Sequence, residues 1–149
     1  MKLTNGFDIS ATALTAQRLR MDIISSNIAN AETTRGRLVD GHWVPYTRKM
    51  VVFEPKPTPS FNQLLRNNMR GTSGEGVKVA RIIEDRSPFK QVYDPGHPDA
   101  DENGYVLKPN VDILKEMVDM ISATRSYEAN VTALNATKGF ITKALEIGK

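Results

Sequence analysis

The sequence predicts an α+β fold. Long N- and C-terminal helices pair as a coiled coil, and a small, irregular, β-rich middle domain separates them along the chain. Three observations predict this. Apolar residues recur at helical spacing near both ends of the 149-residue chain. All eight prolines lie between positions 33 and 109, with Gly36, Gly41, Gly71, Gly74, Gly76, Gly96 and Gly104, so this stretch is cut into short segments. The same stretch holds runs of β-branched and aromatic residues bounded by turn signals. The expected organisation is an N-terminal helix over 1–32, a β-rich lobe over 33–109 and a C-terminal coiled-coil helix over 110–149. The first and third are expected to form one helical domain.

In the first segment Phe7, Leu14, Met21 and Ile28 fall every seventh residue, with Ile24 and Ala31 three positions after Met21 and Ile28. They form a stripe on one helix face. Ser10 and Gln17 thin it, and small residues surround it: Ala11, Ala13, Ala16, Ser25, Ser26 and Ala29. A thin stripe among small side chains suits close helix–helix contact better than docking on a thick core.

The last segment is more regular. Ile113, Met117, Met120, Thr124, Tyr127, Val131, Leu134, Lys138, Ile141 and Leu145 alternate spacings of four and three. That is the seam of a coiled coil. Asn110 is the expected N-cap and Asp112 the first-turn acid favoured by the helix dipole, with Gly148 as the stop. Gly139 is the weak point, costing roughly 1 kcal/mol relative to alanine. A helix over 111–147 would be about 55 Å long at about 1.5 Å per residue. That is longer than the core of so small a chain needs.

In the middle, Asp40–Gly41 signals a hairpin turn ahead of a β-prone run from Trp43 to Phe53. Further β-prone runs cover Val77 to Glu84 and Phe89 to Tyr93. Pro55, Pro57 and Pro59 mark an extended linker, and a short helix is expected near Phe61–Asn68.

Composition removes most enzyme chemistry. The chain has no cysteine and two histidines, His42 and His97, so disulfides, thiolate nucleophiles and the usual zinc sites are excluded. The net charge of +3 arises in the middle segment, where 33–90 is basic and 91–109 acidic, while both ends balance. The bases are scattered and Trp43 stands alone, which reads as a solvated surface rather than a nucleic-acid site. No apolar run is long enough to span a bilayer, so no membrane insertion is expected. The start is not signal-like, since Asp8, Gln17, Arg18 and Arg20 interrupt it. Taken alone, that predicts a cytoplasmic protein.

The candidate motifs are few. Asp99-Ala-Asp101-Glu-Asn103-Gly104 matches the opening of a calcium loop, with oxygen ligands at positions 1, 3 and 5 and glycine at 6. Position 12 is Asn110 in place of glutamate, and Pro95 and Pro98 preclude an entering helix. An acidic, turn-rich loop is the favoured reading, with a calcium-dependent binding module over 94–110 as the alternative function. Gly71-x-x-Gly74-x-Gly76 has the wrong spacing for a dinucleotide site. Glu84–Asp85 and Asp99–Asp101 have no reactive neighbour, so no catalytic residue, cofactor or metal is assigned. Pairing the two stripes with each other offsets too little of the cost of ordering both helices, so an isolated hairpin of this kind is marginal. The ends are expected to be frayed in the monomer and ordered in an assembly that stacks head to tail.

The residues also carry a resemblance. The run from Phe7 to Thr33, FDISATALTAQRLRMDIISSNIANAET, resembles the N-terminal signature of flagellar rod, hook and hook-associated proteins. Glu116 to Asn130, EMVDMISATRSYEAN, resembles the signature at their other end. The loop from Tyr93 to Asp101, with Gly104-Tyr105-Val106, is similar to the proximal-rod members, whereas 54–76 matches least. The resemblance implies a structural subunit of the bacterial flagellar basal-body rod. Such a subunit would self-assemble with other flagellar rod subunits into the axial drive shaft that transmits torque from motor to hook. It implies travel through the flagellar type III export apparatus to the basal body, in the periplasm or cell-wall layer, and this overrules the cytoplasmic reading. The assembly interface is then expected at Phe7, Leu14, Met21, Ile24, Asn27, Ile28 and Asn30 on the first helix. On the second it is expected at Met117, Met120, Arg125, Tyr127, Asn130, Val131, Leu134, Ile141 and Leu145.

Overall fold

The computed structural model of the chain describes residues 5–55 and 76–147. The helix expected near Phe61–Asn68, Pro57 and Pro59 of the linker, most of the glycine-rich loop and the stop at Gly148 lie outside the described residues.

The element order is α1 (Asn5–Ala29), β1 (Arg37–Val39), β2 (His42–Val44), β3 (Lys49–Pro55), β4 (Val77–Glu84), β5 (Lys90–Tyr93), β6 (Tyr105–Lys108) and α2 (Ile113–Ile147). The strands form three two-stranded sheets, β1–β2, β3–β4 and β5–β6. The α+β class therefore holds. The chain divides into two compact units.

Among the described residues, the first unit comprises 5–19, 52–55, 76–81 and 122–147. Here α1 and α2 come close where Gly6 faces Thr137, and a Cβ at Gly6 would lie 3.3 Å from the threonine methyl. Among the described residues Ser10, Ala16, Gly76 and Ala123 are its buried positions. Thr12 fastens β4 to α1: its hydroxyl donates to the Ile9 carbonyl at 2.8 Å and accepts from the Val77 amide at 3.3 Å.

The second unit comprises 20–51 and 82–121. Its apolar core is Ile23, Ile24, Ala31, Val106 and Val111. At the end of α1 the Asn30 side chain donates to the Ser26 carbonyl at 2.9 Å, closing the last turn without glycine. The β1–β2 hairpin has the expected Asp40–Gly41 turn, with φ of 49° and 82°. Two positive φ angles make a type I′ turn, whose twist matches the strands it joins. The β-prone run from Trp43 to Phe53 is interrupted, because Pro45 has no amide to donate and the Tyr46 amide instead bonds the Thr33 carbonyl at 3.1 Å. Strands β5 and β6 are antiparallel, pairing Gln91 with Leu107 and Tyr93 with Tyr105. The tyrosine rings meet edge to face at 5.3 Å.

Helix α2 begins later than expected. Asp112 is the cap, its Oδ1 accepting from the Leu114 amide at 3.0 Å. Asn110 is used elsewhere, accepting from the Arg48 amide at 2.8 Å and donating to the carbonyls of Asp85 and Ser87. The two helices are antiparallel within this unit, since Asn27 bonds Glu116 and Arg20 bonds Asp119.

Candidate functional site

A buried polar joint in the second unit ties the end of α1 to the start of β3 and the start of α2. At its centre the Asn27 and Glu116 side chains are each about 1% exposed. Asn27 uses every hydrogen-bonding position it has. Its Nδ2 donates to the Lys49 carbonyl at 2.8 Å and to Glu116 Oε2 at 3.0 Å. Its Oδ1 accepts from the Lys49 amide at 3.0 Å and the Tyr46 hydroxyl at 3.0 Å. A buried amide so completely matched avoids the penalty of an orphaned donor or acceptor.

Arg48 enters from the strand side. Its Nε donates to Glu116 Oε1 at 2.6 Å, while Nη1 lies 3.4 Å from Asp85 and Nη2 lies 3.6 Å from Asp119. The guanidinium's planar fork allows one cation to face three carboxylates, two on α2 and Asp85 just after β4. Burial pushes the Arg48 guanidinium toward losing its proton, but hydrogen bonding and attraction from Glu116 and Asp85 outweigh this and its pKa is raised. Asp85 is held below the ordinary carboxylate range, first by the Ser87 hydroxyl and amide and then by Arg48. Arg20 completes the joint, with Nη2 at 3.2 Å from Asp119.

Two carboxylates of the acidic loop, Asp99 and Asp101, are engaged within the chain. Asp99 accepts from the Thr34 hydroxyl at 2.7 Å and from Arg35 Nε at 2.7 Å, and Arg35 foremost lowers its pKa. Asp101 Oδ1 accepts from the amides of Asn103 at 2.9 Å and Tyr105 at 2.8 Å. Gly104 has φ of 79° and lies against Tyr93 and Pro95. These bonds build a turn. Among the described residues no three His, Asp or Glu side chains group as metal ligands.

Of the expected interface residues, Ile24 and Asn27 are buried, while Phe7, Leu14, Met21, Ile28 and Asn30 are half-buried. On α2, Met120, Tyr127, Asn130, Val131, Leu134 and Ile141 are half-buried. Asn130 donates to the Ser126 carbonyl at 2.8 Å. Arg125 is exposed and lies 3.5 Å from Glu128. Met117 and Leu145 are exposed, and the deepest positions of α2 are instead Glu116 and Ala123. Next to Met117 runs a bare apolar stripe: Leu114, Val118 and Ile121 are 76%, 66% and 61% exposed. Sequence reasoning missed Arg48, Tyr46, Glu116 and Asp119 as partners. One signal was present: Glu116 is a charge between Ile113 and Met120, on the apolar side of the helix.

Two family descriptions match the ends of the chain: flagella basal body rod protein over residues 7–36, and flagellar basal body rod FlgEFG protein C-terminal over residues 102–147. A relative from Bacillus subtilis (strain 168), named flagellar basal-body rod protein FlgC, is 60% identical over 151 residues and covers all of both chains. The chain belongs to the flagellar basal-body rod protein family. FlgC proteins of Salmonella typhimurium and Borreliella burgdorferi are 45% and 44% identical, the first over the full length of both chains and the second over 99% of this chain and 98% of its own. In this rod-family chain the two matched stretches meet at the joint, Asn27 coming from the first and Glu116 and Asp119 from the second.

Proposed function

We propose that the chain is a structural, non-catalytic subunit of the proximal rod in the bacterial flagellar basal body. It assembles with other rod subunits and with itself into the helical shaft that carries torque from motor to hook. Full-length similarity to FlgC proteins supports the role. One structural observation carries the mechanism: α2 is apolar on two sides. One side packs within the chain, and the other leaves Leu114, Met117, Val118 and Ile121 in solvent. A contiguous apolar patch left in solvent marks a surface that a partner covers. Neighbouring subunits supply that cover, and the terminal helices complete a coiled-coil layer there. Among the described residues no helix is long and apolar enough to cross a membrane. Delivery by the flagellar type III export apparatus fits a chain without disulfides.

The test is complementation of a strain lacking its own subunit. The wild-type chain restores swimming and intact rods in isolated basal bodies. The double variant Leu114→Asp, Val118→Asp restores neither, while its purified monomer keeps normal helical circular dichroism. Swimming by the double variant would overturn the packing role, and failure of the wild-type chain would overturn the rod assignment.

A further inference from the structure

The loop joining β5 to β6 holds Asn103 followed by Gly104, a pair with a chemistry of its own. The Cγ of an asparagine is open to attack by the backbone nitrogen of the next residue, and a glycine there, lacking Cβ, resists the approach least. Asn103 is exposed, so water reaches it. The folded loop nevertheless denies the approach. The amides of residues 103, 104 and 105 all donate to Asp101: those of Asn103 and Tyr105 to Oδ1 at 2.9 and 2.8 Å, that of Gly104 to the carbonyl at 3.0 Å. The attacking nitrogen is tied, and so are the peptide groups on either side of it, which would have to rotate to bring it onto Cγ. Gly104 is also fixed from outside. Its φ is 79°, Tyr93 and Pro95 lie 3.0 and 3.2 Å from where a Cβ would stand, and its carbonyl accepts from the Asp94 amide at 2.9 Å.

We propose that Asn103–Gly104 is a site of spontaneous deamidation that folding closes, with Asp101 as the residue that closes it. In the unfolded chain the Gly104 nitrogen gives up its proton and bonds Asn103 Cγ. The Cγ–Nδ2 bond breaks, and the amide leaves as ammonia with that proton. Water then opens the resulting succinimide at either carbonyl, leaving aspartate or isoaspartate at position 103. From the folded chain the reaction must wait for the turn to open, so its rate is the unfolded rate multiplied by the open fraction. Three hydrogen bonds to Asp101 hold that fraction to about one part in a hundred. The product does not rebuild the turn. Isoaspartate adds a carbon to the backbone between Asp101 and its partners, and either product sets a new carboxylate beside Asp101 and Glu102. The Gly104 carbonyl is then displaced from the Asp94 amide, and the end of the β5–β6 pairing is lost. A chain converted before it folds is thereby marked, which limits how long this chain tolerates being unfolded.

The test follows the purified full-length chain over time in mildly alkaline buffer, native and in guanidinium chloride, by peptide mapping and mass spectrometry. The map separates Asn103 from the chain's other Asn–Gly pair, Asn5–Gly6. Conversion at Asn103 is expected to be about a hundredfold slower in the native chain than in denaturant. A separation under about fivefold, which one such bond supplies, overturns the proposal, and so does a lack of conversion in denaturant. Asp101→Ala loses two of the three bonds. With its folding checked by Trp43 fluorescence and circular dichroism, it is expected to convert about thirtyfold faster than the native wild type, and a rise under about fivefold overturns the part given to Asp101. Asp101→Asn keeps an acceptor oxygen and should stay near wild type, and conversion as fast as in Asp101→Ala would overturn the hydrogen-bond account. If Asp101→Ala does not fold, the comparison of native and denatured wild type decides alone.

Discussion

Asn27 faces the backbone of Lys49 as a neighbouring strand would, donating to its carbonyl at 2.8 Å and accepting from its amide at 3.0 Å. A side chain on a helix thereby supplies the hydrogen bonds that begin β3. With Glu116 and Tyr46 on its remaining positions, Asn27 holds three elements at once.

Replacing Asn27 by alanine removes four hydrogen bonds and strands the Lys49 amide and one Glu116 oxygen. The expected loss is about 2–3 kcal/mol. Urea unfolding followed through Trp43, the single tryptophan, measures it. A loss under 0.5 kcal/mol, a few tenths being the scale of an ordinary surface change, would refute the strut role.

The Arg48–Glu116 pair is buried on the glutamate side and 12% exposed on the arginine side. Arg48→Met alone leaves a buried carboxylate without its cation and is expected to lower stability by roughly 3–5 kcal/mol. Adding Glu116→Leu removes the orphaned charge and should recover most of that loss. A double-mutant cycle reads the recovery, and additive losses would contradict the coupling.

Asp85 and Asp99 both have folded-state pKa values below the ordinary carboxylate value. Their contribution is fully present above about pH 5, a unit above the unfolded carboxylate value, and is lost as pH falls through the lowered folded values. Thermal midpoints should therefore hold from pH 7 to about pH 5 and then drop. Asp99→Asn should weaken the drop, because asparagine accepts from Thr34 and Arg35 without titrating. An unchanged acid profile in Asp99→Asn would count against the loop's anchoring by Arg35.

Gly36 has no room for a side chain. A Cβ there would lie 2.6 Å from the Tyr46 amide nitrogen, which bonds the Thr33 carbonyl. Gly36→Ala should cost about 1–3 kcal/mol, as overpacking does. Amide exchange should locate the loss at the Tyr46–Thr33 and Gly36–Val44 bonds, and protection equal to wild type would refute it.

Leu134→Asp places a charge on the half-buried stripe of α2. Soluble yield should stay near normal while motility and rod assembly are lost, read by swarm diameter and by electron microscopy of basal bodies. A motile Leu134→Asp strain would contradict a packing role for this face.

Much of the fold is legible in the sequence because it follows local rules. The run from Val77 to Glu84 is β4 from end to end, and Asp40–Gly41 makes its turn, since only backbone preference is involved. The helices are found, and on α1 the expected Ile24 and Asn27 are buried beside the small residues Ser10 and Ala16, while the deepest positions of α2 lie off its heptad seam. A heptad search selects large apolar residues such as Met117, whereas close helix approach selects small or paired ones: Ser10, Ala16, Glu116 and Ala123. The polar joint is largely hidden from local reading, because Arg48 and Glu116 are 68 residues apart and Arg48 alone looks like a solvated charge, leaving the misplaced charge of Glu116 as the one trace. Family resemblance points to Asn27, while its geometry belongs to tertiary structure.

Three of the seven apolar residues buried among the described positions are alanines. Buried side chains that small give each subunit little packing of its own among the described residues. A shaft of such parts gains rigidity collectively, each new arrival clamping those already in place.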